Sequence, residues 1–206
     1  NAVRAGVVFV NASGNRISSA AYLGQREDVV AVAGVDTTDV IWSPSTRGTW
    51  VDLCAQAVGV TSTFVQGTGP DSLGYRQPDY RAGLAGTSFA APQVTGAVAL
   101  MQAQRRAEGR DPYTPVGAAL RLRETADDHH ALNPLYLPNT IGTGRLNVRR
   151  ALTDPPTSFA TRTKARSLGA PVVLRFSDGT TRVVYATTDR QLVALDGAYG
   201  DTLWRV

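Results

Sequence analysis

Short, unbroken apolar runs alternate with small and turn-forming residues through the first part of the chain. Residues 5–10 (AGVVFV) are apolar and rich in β-branched side chains, and they end at Asn11-Ala12-Ser13-Gly14-Asn15. The lack of polar alternation predicts a strand buried on both faces, as in a parallel sheet. Val29–Val35 (VVAVAGV) repeats the pattern and is stopped by Asp36-Thr37-Thr38-Asp39. Residues 50–54 predict a third strand and residues 58–64 a fourth. Residues 66–86 are rich in glycine, carry Pro70 and Pro78, and predict a long loop.

The pattern then changes. Residues 88–106 are alanine-rich and lack an internal polar break, which predicts a helix of about four to five turns. Pro92 leaves the Ser88 carbonyl without its helical donor, so an irregular helix start is expected. The small residues Ala90, Ala91, Gly96, Ala97 and Ala99 predict close contact with neighbouring backbone. Residues 114–124 predict a second helix, with Thr114 as N-cap and Pro115 at the first helical position. Gly142-Thr143-Gly144 reads as a turn and residues 146–152 as a short helix. Strands joined through helices imply a layered α/β sheet.

A boundary follows at Thr153-Asp154-Pro155-Pro156-Thr157-Ser158, extended by a basic stretch to Arg166. After it the hydrophobic period becomes two. Residues 172–176, 182–187, 191–195 and 202–206 predict four short strands separated by tight turns, an antiparallel meander. The expected organisation is one domain over residues 1–152, a linker over 153–168 and a separate β-rich module over 169–206. Four strands in about forty residues is the size of one propeller blade. One blade cannot bury both of its faces, so further repeats are expected beyond Val206.

Composition narrows the function classes. The 206 residues are 43% hydrophobic and 18% charged, which gives a packed core and argues against disorder. With 21 basic and 17 acidic side chains the net charge is +4. Arg162, Lys164 and Arg166, with Arg145, Arg149 and Arg150 upstream, form the densest basic cluster. It lacks the interleaved aromatics of a nucleic-acid footprint and reads as solvated arginines around a linker. The one cysteine, Cys54, permits no internal disulfide and sits in an apolar stretch suited to a buried, inert thiol. No signal peptide or membrane-spanning run is visible. The chain opens at Asn1 rather than methionine, so its native amino terminus is expected elsewhere.

The chemistry concentrates in Gly86-Thr87-Ser88-Phe89-Ala90-Ala91-Pro92-Gln93-Val94-Thr95-Gly96. A serine here follows a glycine-rich loop and opens a helix. Its backbone N–H and the other unpaired donors of the first turn face one small region. An anion forming at an attacked carbonyl there gains hydrogen bonds and a favourable helix dipole. Spacing alone leaves a second reading open, in which Thr87 and Ser88 merely cap the helix. Asn15, beside Gly14 at the end of the first strand, has the same ambiguity, because turn asparagines are common.

The run G-T-S-F-A-A-P-x-V-T-G closely resembles the nucleophile motif of subtilisin-like serine proteases (subtilases), with Ser88 at the nucleophile position. Residues 7–15 resemble that family's strand ending in A-x-G-N, whose asparagine donates its amide to the oxyanion, which places Asn15 in the oxyanion hole. Ala12, Ser13 and Gly14 take the position of a wall of the pocket for the side chain preceding the scissile bond. None of the three is charged. Residues 29–36 resemble V-I-A-V-G-A-V-D, and residues 51–57 resemble V-D-V-x-A-P-G with Gln56-Ala57 replacing proline-glycine. Residues 122–126 resemble L-x-x-T-A, and residues 142–147 resemble G-x-G-x-x-N. Gln93 stands where many members have a histidine that is not part of the triad. The resemblance covers residues 1 to 152. It implies the carboxyl-terminal half of a three-layer α/β/α subtilisin-like parallel sheet.

Family chemistry also needs an aspartate and a histidine, both before the serine in chain order. No histidine precedes Ser88. His129 and His130 follow it, after Asp127-Asp128, in a stretch that reads as a polar surface loop or, less simply, a weak metal site. The triad aspartate and histidine are therefore expected upstream of this chain, and the fragment alone is expected to be inactive. The resemblance implies a secreted or envelope endopeptidase acting on protein or peptide substrates, with no cofactor required for the chemistry and room for a structural calcium. The alternatives are a catalytically dead pseudoprotease, a sedolisin-type protease (opposed by Asn15, where that family has aspartate) and a quinone-dependent oxidoreductase. The last is raised only by residues 183–196 and 197–204, which resemble a quinoprotein-type propeller repeat ending in L-W. That module is a candidate for binding a protein partner or the envelope.

Overall fold

The computed structural model describes residues 2–17, 22–63, 80–155, 167–197 and 200–206. The chain forms two compact units, one of residues 1–8, 97–125 and 147–206, the other of residues 9–96 and 126–146.

The second of these units holds a parallel sheet of order β1-β2-β3, with β1 Phe9–Ala12, β2 Val29–Val35 and β3 Leu53–Gln56. The central strand β2 is buried at every position, which is why its sequence is apolar without alternation. Each fully buried valine there contributes about 1.5–3 kcal/mol. A core cluster of Ala33, Val35, Ile41, Val51, Cys54 and Ile141 packs on one side, backed by Trp50 and Tyr136. Cys54 is fully buried, and its thiol donates to the Ile141 carbonyl at 3.2 Å. Burial pushes that thiol far above the ordinary range, so it is not a nucleophile.

Strand boundaries shift from the expected ones for local reasons. The first apolar run opens in a 3₁₀ turn at Val3–Ala5, and strand pairing begins only at Phe9. The third strand starts at Leu53 rather than at residue 50. Val51 N–H closes a turn onto Gly48, and the Asp52 carboxylate accepts from Ala31 N–H at 2.8 Å. The expected fourth strand is β4, Val60–Thr63, and it pairs antiparallel with β5, Tyr80–Leu84. β5 lies inside the stretch expected to be loop. Residues 66–79 of that stretch, and residue 64 of the expected fourth strand, lie outside the described residues.

Helix α1, Thr87–Ala107, runs without interruption through Pro92. The irregular start is not seen, because the proline falls early in the helix and removes one hydrogen bond only. Ala90, Val94, Ala97, Val98, Met101 and Arg105 form its buried stripe, at helical spacing. Close packing of small residues holds for Ala90 and Ala97. It does not hold for exposed Gly96, where an added Cβ meets nothing within 4 Å.

In the other unit, α2 (Pro115–Glu124) has the expected cap, Thr114 Oγ1 accepting from Gly117 N–H at 3.0 Å. Helix α3, Val148–Thr153, is capped by Asn147 accepting from Arg150 N–H at 2.9 Å. It begins later than expected because Leu146 N–H is bound to the Cys54 carbonyl. Strands β6 Val172–Arg175, β7 Thr181–Ala186, β8 Leu192–Asp196 and β9 Thr202–Arg205 form an antiparallel sheet in sequential order. This is the meander read from the period of two. Asp178 fixes the first turn by accepting from both the N–H and the hydroxyl of Thr180. Among the described residues no helix is long and apolar enough to cross a membrane.

Candidate active site

β1 delivers Ser13, Gly14 and Asn15 to the end of the parallel sheet. Ser13 N–H extends the ladder to the Val32 carbonyl, and Thr46 N–H donates to the Gly14 carbonyl at 2.9 Å. The Thr46 hydroxyl donates to the Arg16 carbonyl and accepts from Arg16 N–H. Asn15 is thus held on both sides along the backbone.

Thr87, at the first position of α1 and 1% exposed, ties this loop to the helix. Its N–H and its hydroxyl both donate to Asn15 Oδ1, at 2.9 and 2.8 Å, and its hydroxyl accepts from Gly14 N–H at 3.2 Å. Two donors on one oxygen fix which end of the carboxamide is which. Nδ2 is left facing away from Thr87, and among the described residues it makes no hydrogen bond. Phe89 N–H is taken by the Gly86 carbonyl, whereas Ser88 N–H has no partner among the described residues. Both Ser88 and Asn15 are exposed.

Gly86 shows how close the two groups come. A Cβ placed on it would lie 3.1 Å from Ser88 Oγ and 3.5 Å from Asn15 Nδ2. The hydroxyl and the amide therefore both lie against the same bare face of Gly86. The φ of +151° at Gly86 suits glycine alone, and its N–H is anchored to the Ala57 carbonyl at 2.8 Å. Any side chain here would fill the space between the two groups.

Of the three expected wall residues, Ala12 and Gly14 are half-buried and Ser13 is fully buried. Gln93 donates to the Gln56 and Phe89 carbonyls, so the replaced histidine position is occupied by a structural amide. Beside it an opening of about 490 Å³ runs along β4 and the first turns of α1, lined by uncharged residues including Val60, Thr61 and Phe89. The residue the sequence reading undervalued is Thr87. The sequence offers a capping role for it as one open reading, and the fold shows that its side-chain partner is Asn15.

His129 lies in the loop before a 3₁₀ turn, His130–Leu132, and is buried rather than on the surface. His130 Nδ1 faces the Asp128 carboxylate, and its Nε2 lies 3.1 Å from the carbonyls of Pro138 and Gly142. Burial opposes its charged form, but these acceptors outweigh it and raise its pKa. His129 is 1% exposed with neither ring nitrogen hydrogen-bonded. Burial first, and the neighbouring His130 second, push its pKa down. Among the described residues no group of three or more His, Cys, Asp or Glu side chains could hold a metal ion.

The profile of the subtilase family (peptidase S8) matches residues 1–144. This chain belongs to the subtilase family. It is 39% identical over 102 residues to a thermophilic serine proteinase of Bacillus sp. (strain AK1), covering 49% of this chain and 22% of that protein. It is 34% identical over 128 residues to an extracellular protease of Xanthomonas campestris pv. campestris, covering 61% of this chain and 20% of that protein. The chain thus spans about a fifth of these curated relatives. Among solved structures, a lanthipeptide protease superposes with a TM-score of 0.60 at 22% identity, over 73% of this subtilase chain and 51% of that one. Proteases from Pseudoalteromonas arctica PAMC 21717 superpose with a TM-score of 0.58 at 26% identity, over 73% of this chain and 43% of that one.

Proposed function

We propose that this subtilase segment supplies the nucleophile and oxyanion hole of a serine endopeptidase. Ser88 Oγ attacks the scissile carbonyl carbon, its proton passing to a histidine contributed by a part of the protein outside this chain. The carbonyl oxygen becomes an oxyanion between Asn15 Nδ2 and Ser88 N–H. The C–N bond then breaks, the histidine returns the proton to the leaving amine, and water hydrolyses the acyl-enzyme on Ser88. The observation that supports this reading is the nearness of the hydroxyl and the amide, which lie 3.1 and 3.5 Å from the point a Cβ on Gly86 would take. Ala12, Ser13 and Gly14 would then form an uncharged wall for the substrate side chain. Similarity to an extracellular protease favours export. Residues 169–206 are read as a propeller-type blade from the four sequential antiparallel strands and their repeat-like sequence, within the unit that also holds residues 97–125.

The test is made on the full-length protein. A fluorophosphonate probe should label Ser88, and Ser88→Ala should abolish both labelling and peptide hydrolysis. Asn15→Ala should keep the label but lower turnover ~100- to 1,000-fold, the usual loss for one oxyanion donor. A wild-type protein that neither takes the probe nor cleaves peptides would instead be a pseudoprotease.

A further inference from the structure

Two arginines at the carboxyl-terminal end of α1 grip the sheet β6 to β9. Arg105 is the last buried position of the helix, with a side chain only 6% exposed. Its Nε donates to the Asp111 carbonyl and its Nη2 to the Asp201 carboxylate, and its guanidinium lies 4.4 Å from the centre of the Tyr113 ring. The loop that carries Tyr113 is itself fixed, because Gln102 exchanges two hydrogen bonds with the Tyr113 backbone. Arg110 Nε donates to the second Asp201 oxygen at 2.8 Å, and Arg110 Nη1 donates to Glu108 at 3.3 Å. Asp201 thus gives one oxygen to each arginine, and two guanidiniums against two carboxylates leave the cluster neutral.

Asp201 stands in the turn between β8 and β9. Asp196 N–H donates to the Asp201 carbonyl and Gly200 N–H to the Asp196 carbonyl, both at 2.8 Å, so a closed turn delivers the carboxylate. Next to it β8 is buried, with Val193, Ala194 and Leu195 at 3% exposure or less, while β6 and β9 are exposed at every position. Residues 153–168 read as a linker, and a linker alone would leave the sheet free of the helix. The ion pair does not. Without Asp201, Arg105 would keep its charge in a place that water barely reaches, and an uncompensated buried charge is strongly destabilising.

We propose that residues 167–206 form an intramolecular brace for α1, pinned through Asp201, rather than a module that folds and moves by itself. The brace stabilises the end of α1 remote from Ser88 and takes no part in peptide hydrolysis.

The test uses the full-length protein and reads thermal melting and amide hydrogen exchange, neither of which depends on proteolytic activity. Asp201→Asn should lower the melting temperature by several degrees, and it should speed exchange in the last turns of α1 as well as in β8 and β9. Adding Arg105→Met to Asp201→Asn should restore part of the loss, since no buried charge then lacks its partner. An unchanged melting temperature in Asp201→Asn overturns the proposal. So does faster exchange confined to β8 and β9, the mark of a sheet that opens by itself. Additive losses in the double variant also overturn it, because Asp201 would then shape only its own turn. Where Asp201→Asn does not fold, exchange of the wild-type protein in rising urea decides. The last turns of α1 should open together with β8 and β9, and a sheet that opens at lower urea than the helix overturns the brace.

Discussion

The proposed chemistry depends on the direction of a single carboxamide, and Thr87 sets that direction. Asn15 Oδ1 accepts from the Thr87 N–H and hydroxyl, so a flipped amide would put two donors against Nδ2. Removing the hydroxyl leaves one of the two locks and deprives Gly14 N–H of its acceptor. Thr87→Val should therefore lower kcat about fivefold, the scale of one hydrogen bond of roughly 1 kcal/mol, with KM little changed. Thr87→Ser should restore most of it. Because Thr87 acts through Asn15, Thr87→Val should add little to the loss already present in Asn15→Ala. Kinetics of the four proteins in that cycle check the point, and full additivity would remove the positioning role. Ser88 and Asn15 stand out in the sequence as candidates because each sits in a long motif at an element terminus. Thr87 was not legible, because a threonine before a helix has an ordinary capping explanation and its partner lies 72 positions away.

At the scale of elements, the site depends on how tightly β2 lies beneath α1. A Cβ added to Gly34 would sit 2.4 Å from the Ala57 Cβ and 3.4 Å from Thr87 Cγ2. Ala57 anchors Gly86 through its carbonyl, so both neighbours belong to the site's support. Gly34→Ala should cost about 1–3 kcal/mol, the usual penalty of overpacking, and should lower kcat as well. Ala57→Gly in the same chain should return much of both, measured as urea midpoints and turnover. No recovery would show that Gly34 is needed for another reason. The strands β1 to β3 were readable because parallel strands buried on both faces leave unbroken apolar runs. The meander β6 to β9 was readable from its period of two. β5 was hidden, since its Tyr80-Arg81-Ala82-Gly83-Leu84 is mostly exposed and draws its order from pairing with β4. Strand ends moved for the same kind of reason. Asp52 and Leu146 are committed by hydrogen bonds to partners far along the chain, which no local pattern records.

For the molecule as a whole, the two adjacent histidines give stability opposite responses to pH. His129 is buried without hydrogen bonds, with its pKa pushed below that of an unfolded histidine, about 6.5. The unfolded chain then binds a proton that the folded chain refuses, so this group's contribution is complete above about pH 6.5 and is lost as pH falls below it. His130 has a raised pKa, and its contribution is present below about pH 6.5 and fades as pH rises through its folded value. The two differ in weight. The Asp128 side chain facing His130 is 78% exposed, so that pair is well screened. His129 is sealed, and the groups that bear on it are His130, Asp39, Asp128 and the Ile141 carbonyl, the last already accepting from the Cys54 thiol. The acid-sensitive group should dominate. Between pH 7.5 and 5.5 the urea midpoint of the protein should fall, with a slope no steeper than the one-proton limit of about 1.4 kcal/mol per pH unit. His129→Leu should flatten or reverse the fall. An acid loss of the same size in His129→Leu would assign the effect to other groups and leave the buried imidazole with no part in it.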